Sequence, residues 1–215
     1  MKNEKKNEEL INNLKQEISN LKNNNNELNT FKKEAEFILK NYISNLDRII
    51  IDNNNYNSTL KNWINPNKKI KANLLYRLSR DGAEISTFHE LCDNKGPTLT
   101  LFHLKMGDKI GFYVDDSFDS NSGWKKNIFN FMFNLNQNQK YNKTFFDKNS
   151  FYCQRNCGPS VNGLGCNPEV KLNFIYHSAN AIDNSFINGS KLLPSENIEK
   201  EYEVAEIEIF QISTI

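Results

Sequence analysis

The sequence predicts an α+β protein in which a long N-terminal coiled-coil helix precedes a two-sheet antiparallel β-sandwich with a few short helices. Three observations lead to this fold class. Apolar residues follow a heptad spacing from Ile11 onward, the hydrophobic period changes from seven to two near residue 55, and helical signals are sparse beyond that point. The chain has 215 residues, of which 38% are hydrophobic, enough for one sizeable core and an appendage.

Residues 1–52 carry the heptad spacing. Five apolar residues form the seam of this predicted coiled coil: Ile11, Leu14, Ile18, Leu21 and Leu28. The positions between them hold Glu, Lys, Asn and Gln, which suit a solvent-exposed face. A helix with such a stripe buries it only against a partner, so we expect the chain to form a homo-oligomer through its coiled coil. The Asn run at 23–26 has low helix propensity, and a break near residue 25 or a frayed tail is the alternative.

The heptad ends in the sequence DNNNYNS at 52–58, which marks the boundary between two regions. A short helix is predicted over residues 59–64, and Pro66 stops it. Beyond this point the hydrophobic period is two, which is the period of a β-strand. The second domain is therefore predicted to span residues 57–215.

Three stretches of this second domain alternate with strand spacing. In NIFNFMFNL, Phe129, Phe131 and Phe133 share one face while Asn and Met share the other, which predicts a half-buried strand. TLTLFHLKMGDKIGFYV predicts two strands joined by a short loop at 106–108. EYEVAEIEIFQI predicts a strand near the C-terminus. Because helical signals are few, we expect two packed antiparallel sheets with helices on the outside.

The stretch SRDGAEISTFHELCDNKGPTLTLF concentrates residues that resemble catalytic groups, among them Asp81, His89 and Cys92. Their setting predicts a structural role. Thr87 followed by Glu90 is a capping-box pattern, which begins a short helix with Cys92 on its apolar side. His89 and Glu90 are predicted to point away from that side, and adjacent helical residues do not face one another. The RDG sequence before this helix is typical of a turn.

Short motifs of the second region resemble those of the TLDc domain family. The segment Leu74–Val114 contains an LLY element, an RDG turn, an FH..CD..GPT helix-to-strand junction and a hairpin in the family's order. The likeness continues through Trp63, Trp124, Phe129–Leu135, Cys157–Gly163 and the closing strand, to residue 213. The residues that carry the motifs are Arg80, Asp81, Gly82, Phe88, His89, Cys92, Asp93, Gly96, Pro97, Thr98, Gly111, Gly158 and Pro159.

This resemblance implies a sandwich of two antiparallel sheets with flanking helices and no established active site. It also implies a role in protection against oxidative damage, or binding to and regulation of the vacuolar proton-pumping ATPase, as members of the family are linked to both. The sequence departs from the family pattern in LGCNPEVKLNF after Gly163, so the resemblance implies no partner contact through that loop.

Composition narrows the function classes. The 27 basic and 26 acidic residues give a net charge of +1, so no overall field attracts nucleic acid or an anionic membrane. The N-terminus lacks an apolar run of signal-peptide length, and no long uncharged apolar stretch predicts membrane insertion. We therefore expect a soluble protein of the cytoplasm, or of the nucleus, with four reduced cysteines.

Several side chains allow an enzymatic alternative. Three cysteines and one histidine provide four ligands of the kind that zinc prefers: Cys153, Cys157, Cys166 and His177. Their spacing is looser than that of a zinc finger. A reversible thiol switch between Cys153 and Cys157 is therefore the better interpretation of this loop, and it requires that both thiols are exposed. Ser160, His177 and Asp147 supply the residue types of a hydrolase, but no nucleophile elbow accompanies them.

The basic stretch NKKIKANLLYR allows a third alternative, a nucleic-acid-binding regulator that dimerises through the rod. It lacks interleaved exposed aromatic residues and a reading helix, so a solvated surface is the simpler interpretation. The sequence as a whole predicts a non-enzymatic protein-interaction module whose partners are other proteins. We expect no catalytic residue, no cofactor and no metal.

Overall fold

A computed structural model describes residues 13–17, 19–24, 28–33, 54–121, 123–125, 129–144, 151–166, 172–183, 185–193 and 199–214. The chain divides into two compact units, Met1–Ile49 and Ile50–Ile215. In the first unit, residues 13–17, 19–24 and 28–33 are helical. The structure does not show the single long helix predicted for this region. Ile11, Ile18 and the predicted break near residue 25 lie outside the described residues. The predicted domain limits stay predictions.

The second unit consists of strands with a few short helices. The helices are α1 (Asn54–Ile64), α2 (Leu78–Asp81), α3 (Ile85–Cys92), α4 (Ala179–Asp183) and a 3-10 turn (Gly189–Leu192). The strands are β1 (Ile70–Arg77), β2 (Thr98–Leu104), β3 (Lys109–Val114), β4 (Gly123–Lys125), β5 (Asn130–Asn134), β6 (Gln139–Asn142), β7 (Phe151–Cys153), β8 (Ser160–Val161), β9 (Leu164–Gly165), β10 (Phe174–Ser178) and β11 (Glu199–Thr214). Among the described helices, none has the length and apolar character needed to cross a bilayer.

Every strand pair between these elements is antiparallel, as predicted. The order of strands is β4-β7-β8-β9-β10-β11-β2-β3-β5-β6, and β1 adds to β11. The predicted hairpin at 106–108 is β2–β3, and the predicted C-terminal strand is β11. The prediction of an α+β domain of antiparallel strands with a few short helices is therefore confirmed.

Strand β11 divides the strands into two parts. Its first residues pair with β10, which leads through β9, β8 and β7 to β4, and we call this part the second sheet. Its later residues pair with β1 on one edge and β2 on the other, and β2, β3, β5 and β6 complete the first sheet. A single 16-residue strand thus belongs to both sheets.

The larger hydrophobic core joins the two sheets. It combines Phe102 and Phe112 of the first sheet with Phe151, Ile175 and Tyr202 of the second, and all five side chains are buried. Contact between side chains from both parts is what a sandwich requires, since each sheet buries one face against the other. Phe88 and Cys92 of α3 belong to the same core, which they close at one side.

Helix α1 covers the opposite face of the first sheet. Leu60 and Trp63 pack there on a smaller core that includes Phe131 and Phe133. Lys140 of β6 fixes the end of the helix, because its Nζ donates to the carbonyl oxygen of Trp63 at 3.0 Å and lies 4.2 Å from the ring centre of Phe131. The helix begins at Asn54, earlier than the predicted 59–64, so the Asn-rich boundary segment is partly helical.

The strand predicted at Phe129–Leu135 is present, but the prediction that the face of Asn130, Met132 and Asn134 is exposed is wrong. Strand β5 is buried on both sides, since Phe131 and Phe133 meet the core under α1 while Met132 meets the core between the sheets. Asn134 tolerates burial because its amide nitrogen donates to the carbonyl oxygen of Leu192 at 2.9 Å. A pattern of period two reports which residues share a face, and it does not report what covers each face.

One ion pair lies inside the first sheet. The guanidinium of Arg77 donates from Nε and Nη2 to Oε1 of Glu208 at 3.0 and 2.6 Å, and the two residues are register partners on β1 and β11. Their side chains are 8% and 0% exposed. A buried charge without its partner is strongly unfavourable, so each of these residues depends on the other.

Glu208→Gln is expected to lower the free energy of unfolding by about 3–5 kcal/mol, because it leaves the Arg77 guanidinium buried beside a neutral group. Glu203→Gln, on the same strand, is the matched control. Glu203 pairs with Lys105 at the surface, where both side chains are about half exposed, and its loss should cost less than about 1 kcal/mol. Urea unfolding followed by circular dichroism measures both, and equal losses would contradict the argument.

Candidate functional site

Helix α3 carries the FH..CD motif, but it does not begin as predicted. Its first residue is Ile85 and its N-cap is Glu84, with no side-chain hydrogen bond at the cap. The capping box of Thr87 and Glu90 is therefore wrong, since both residues lie inside the helix. The predicted apolar side is correct, because Phe88 and Cys92 are completely buried.

His89 is the main correction within this helix. The sequence predicts a side chain that points away from the apolar side, yet His89 is only 8% exposed. Its Nδ1 lies 2.8 Å from Oδ1 of Asp93, and its Nε2 lies 2.9 and 3.0 Å from the carbonyl oxygens of Gln154 and Cys157. Asp93 in turn accepts a hydrogen bond from Ser120 at 2.7 Å. The His89–Asp93 pair thus ties α3 to two loops, which is a structural role.

The RDG sequence ends the one-turn helix α2 at Asp81, and Gly82 follows it with the positive φ expected of the predicted turn. The Asp81 carboxylate accepts from the backbone N–H of Arg77 at 2.8 Å and from the Arg80 guanidinium at 2.8 and 2.9 Å. Burial alone would raise the pKa of Asp81, but these hydrogen bonds outweigh it and lower that pKa below its usual value. Gly82 has φ 85°, a conformation that favours glycine.

The other motif glycines lie where another segment of the chain packs directly against the backbone. A Cβ at Gly96 would overlap the carbonyl oxygen of Asp116, one at Gly111 would overlap that of Thr100, and one at Gly158 would overlap Leu172. The remaining three residues flank these contacts: Pro97, Thr98 and Pro159. The carbonyl oxygen of Pro97 accepts from Ile212 at 2.8 Å, that of Pro159 accepts from Cys166 at 3.2 Å, and Thr98 is buried. All of the TLDc-like motif residues are thus placed where they shape the fold.

The best candidate for a binding site lies on the outer face of the second sheet. Residues in register on successive strands run across this face in one row: Trp124, Tyr152, Ser160, Gly165, Tyr176 and Glu201. Directly opposed residues of antiparallel strands project to the same side with Cβ atoms about 5 Å apart. The two small residues in the middle leave a depression between the aromatic residues on either side.

This depression is a cavity of about 220 Å³, which we call the row pocket. Trp124 and Tyr152 form one wall, with ring centres 4.7 Å apart, and Tyr176 forms the other. Ser160 and Gly165 form the floor, where a Cβ at position 165 would overlap Ser160. The pocket is open to solvent on the side of Trp124, whose side chain is 44% exposed.

The cysteines do not have the exposure that a thiol switch needs. All four are free and buried, including Cys157 and Cys166 beside the row pocket. Burial raises the pKa of Cys157, Cys166 and Cys92, and it raises the pKa of Cys153 to about 12. These thiols are therefore neutral near pH 7, and a neutral thiol is a poor nucleophile. The premise of exposed thiols at Cys153 and Cys157 is wrong.

The residue types of a hydrolase are not brought together in the described part of the chain. Ser160 lies on the outer face of the second sheet with Tyr176, whereas His177 follows Tyr176 on β10 and therefore faces the core. The third residue of that hypothesis, Asp147, lies outside the described residues. Within the described residues, no group of three or more His, Cys, Asp or Glu side chains is arranged to hold a metal ion.

His177 is buried without a hydrogen-bond partner. Its side chain is 0% exposed, its ring meets Tyr202 edge to face at 6.1 Å, and neither ring nitrogen has a partner among the described residues. Burial lowers the pKa of His177 below the ordinary 6.5, and the negative charge of Asp183 offsets this only in part. The folded chain therefore takes up a proton at this ring less readily than the unfolded chain does.

Acid is expected to destabilise the protein through His177. Below pH 6.5 the unfolded chain binds a proton that the folded chain resists, so stability is lost as pH falls, by at most about 1.4 kcal/mol per pH unit. His177→Leu should reduce the difference in urea midpoint between pH 7.5 and pH 5.5. His103→Gln, at the partly exposed His103 of β2, is the matched control and should keep the wild-type difference. An unchanged difference in His177→Leu would contradict the assignment.

Sequence reasoning did not find the row pocket. Its walls come from β4, β7 and β10, three segments that are distant in sequence and are brought together by pairing across the sheet. The one available signal was the small-residue segment Cys157–Gly165 next to strands with alternating aromatic residues. That signal became informative only with the strand register, which places Ser160 and Gly165 between the tyrosines.

Comparison with known proteins gives the family. A family model described as the TLDc domain matches residues 45–213, more than half of the chain. No curated protein matches the chain. The matched range covers the eleven described strands except for the last residue of β11, and it includes Asp81, the His89–Asp93 pair and the row pocket. The chain belongs to the TLDc domain family.

Proposed function

We propose that the protein is a non-enzymatic protein-interaction module of the TLDc type that self-associates through an N-terminal coiled coil. One observation carries this proposal. Leu14, Leu21 and Leu28 recur every seven residues on helical segments, and their side chains are 49%, 63% and 64% exposed. A regular apolar stripe in solvent favours association, because contact with a partner removes it from water.

A second copy of the chain is the partner that fits this stripe. Identical helices present the same seam in the same register, and leucine knobs from one helix enter the holes of the other. Asn25 and Lys32 occupy seam positions of that register in the sequence. Polar residues at such positions cost stability and favour one register over others, which suits a defined homo-oligomer.

The polar groups of the second domain support a binding role. His89 and Asp93 hold loops together, Asp81 closes a turn, and Arg77 and Glu208 neutralise one another inside the sheet. A catalytic centre needs reactive groups that converge on a substrate, whereas these groups are engaged with one another. What the domain offers to a partner is therefore its surface and the row pocket.

Family membership suggests the partner. By its resemblance to other TLDc proteins, the second domain binds the vacuolar proton-pumping ATPase and acts in the response to oxidative damage. This part of the proposal rests on the family alone. Buried thiols with raised pKa values make the domain itself a poor sensor of peroxide, so the proposed role in oxidative stress is exerted through the partner.

Leu21→Asp is expected to weaken self-association by about 100-fold or more, because it puts a charge into the seam of every helix in the assembly. Asn20→Asp adds the same charge to a neighbouring position off the seam and should leave association unchanged. Light scattering over a range of concentrations gives the mass, which should fall toward the 25.0 kDa of one chain for Leu21→Asp only. The same mass for both variants would refute the seam.

Binding to the ATPase is tested with liposomes that contain the purified vacuolar proton pump. The full chain should sediment with these liposomes and change the rate of acidification, measured with a pH-sensitive dye. It should not sediment with liposomes of the same lipids that lack the pump. Equal sedimentation with both, or with neither, would overturn this choice of partner.

A further inference from the structure

We propose that the row pocket binds the side chain of a lysine from a partner protein, with the ammonium group against its aromatic walls. This inference deepens the proposed interaction role and rests on it. The pocket is built by Trp124, Tyr152 and Tyr176 around Ser160 and Gly165, in one row across five strands.

The walls suit a cation. Three aromatic rings surround a space of about 220 Å³, and the faces of aromatic rings carry negative electrostatic potential. A cation within about 6 Å of such a ring is attracted to it, most strongly where water is excluded. Three rings at the sides of one cavity provide this attraction from two directions.

The charged residues around the pocket also favour a cationic ligand. Among the described residues that line it there is no Lys, Arg or His, so its described walls place no positive charge against a cation. The row continues from Tyr176 to Glu201, which is its register partner on β11 and is exposed. Glu201 has no ion pair with any described residue, in contrast to Glu203 two residues along, which pairs with Lys105. This exposed carboxylate does not line the pocket but lies next to the Tyr176 wall, where its negative charge favours the approach of an ammonium group.

The floor supplies a hydrogen-bond acceptor. The Ser160 Oγ is buried and has no hydrogen-bond partner among the described residues. An unsatisfied buried hydroxyl is costly, and a ligand that donates a hydrogen bond to it relieves this cost. An ammonium group has three donors and no acceptor, so it matches this hydroxyl once the Oγ, which is closed to solvent in the structure, turns toward the cavity.

The size of the cavity favours one long side chain. Sites for drug-sized ligands and cofactors measure about 300–1,000 Å³, and the row pocket is smaller. The methylene groups of a lysine can lie along the apolar walls while the ammonium reaches Ser160. An apolar side chain of similar length fills the same volume but leaves Ser160 unpaired and gains nothing from Glu201.

The test compares two model compounds of equal stem length, Nα-acetyl-lysine amide and Nα-acetyl-norleucine amide, at constant ionic strength. The chain has two tryptophans, so Trp63→Phe leaves Trp124 as the only indole and its fluorescence reports on the pocket. The lysine compound should change this fluorescence saturably and bind at least about five-fold more tightly than the norleucine compound. Equal or tighter binding of norleucine, or no binding of either compound, would overturn the inference.

Substitutions in the walls of the row pocket test which residues bind the lysine compound. Tyr152→Leu and Tyr176→Leu keep an apolar wall but remove its ring, and each should weaken binding of the lysine compound by about five-fold. Phe174→Leu is the matched control, because Phe174 lies on the same strand as Tyr176, is 38% exposed and does not line the pocket. Unchanged circular dichroism shows that each variant is folded. Loss of binding in Phe174→Leu equal to that in Tyr176→Leu would contradict the assigned walls.

Two further measurements separate related outcomes. If Nα-acetyl-trimethyllysine amide binds more than about five-fold more tightly than the lysine compound, the site is for a quaternary ammonium group and the assignment to unmodified lysine is wrong. Leu21→Asp should bind the lysine compound normally, since that variant disrupts only the proposed seam. Failure of the pocket test and failure of the association test are therefore distinguishable.

Discussion

The two-sheet architecture depends on a change of partner along one edge of β11. That edge pairs first with β10 and later with β1, and between them lies a short gap where none of the described strands supplies acceptors. Glu206 fills the gap, because its Oε1 accepts from the backbone N–H groups of Ser79 and Ile207 at 3.1 and 3.0 Å. A carboxylate thus replaces a missing strand carbonyl, and the two sheets separate without leaving these backbone donors unpaired.

The same division explains where a partner can bind. The first sheet is covered by α1 on one face and by the second sheet on the other, so its side chains are occupied with packing. The second sheet uses its inner face for the core, through Phe151, Leu164 and Ile175. Its outer face keeps Trp124 and Phe174 in contact with solvent. An exposed aromatic surface on a rigid sheet is a suitable base for recognition, because the positions of its rings are fixed before binding.

Local sequence patterns predict the strands, whereas the position of the row pocket depends on pairing between strands that are distant in sequence. The alternation around Phe131 and the turn at Asp81 are set by neighbours in sequence, so both were predictable. The orientation of the His89 side chain does not follow from its neighbours in sequence, because its partners, the carbonyls of Gln154 and Cys157, are more than sixty residues away and meet it only in the folded chain. The burial of the polar face of β5 is unpredictable for the same reason, since the periodicity of one strand does not show whether another sheet packs on each of its faces. The row pocket depends on the register of five strands, which no local pattern specifies.

Self-association and a single-residue pocket are physically complementary. A pocket that accepts one lysine side chain contributes little binding free energy, because much of the attraction offsets the loss of motional freedom and the removal of water from the ammonium group. Two chains joined by the proposed coiled coil would present two such pockets, and engagement of the first would raise the effective concentration of the second site on a partner with repeated lysines. Weak pockets on an oligomer thus select partners by the spacing of their cations, a property that a lone pocket lacks.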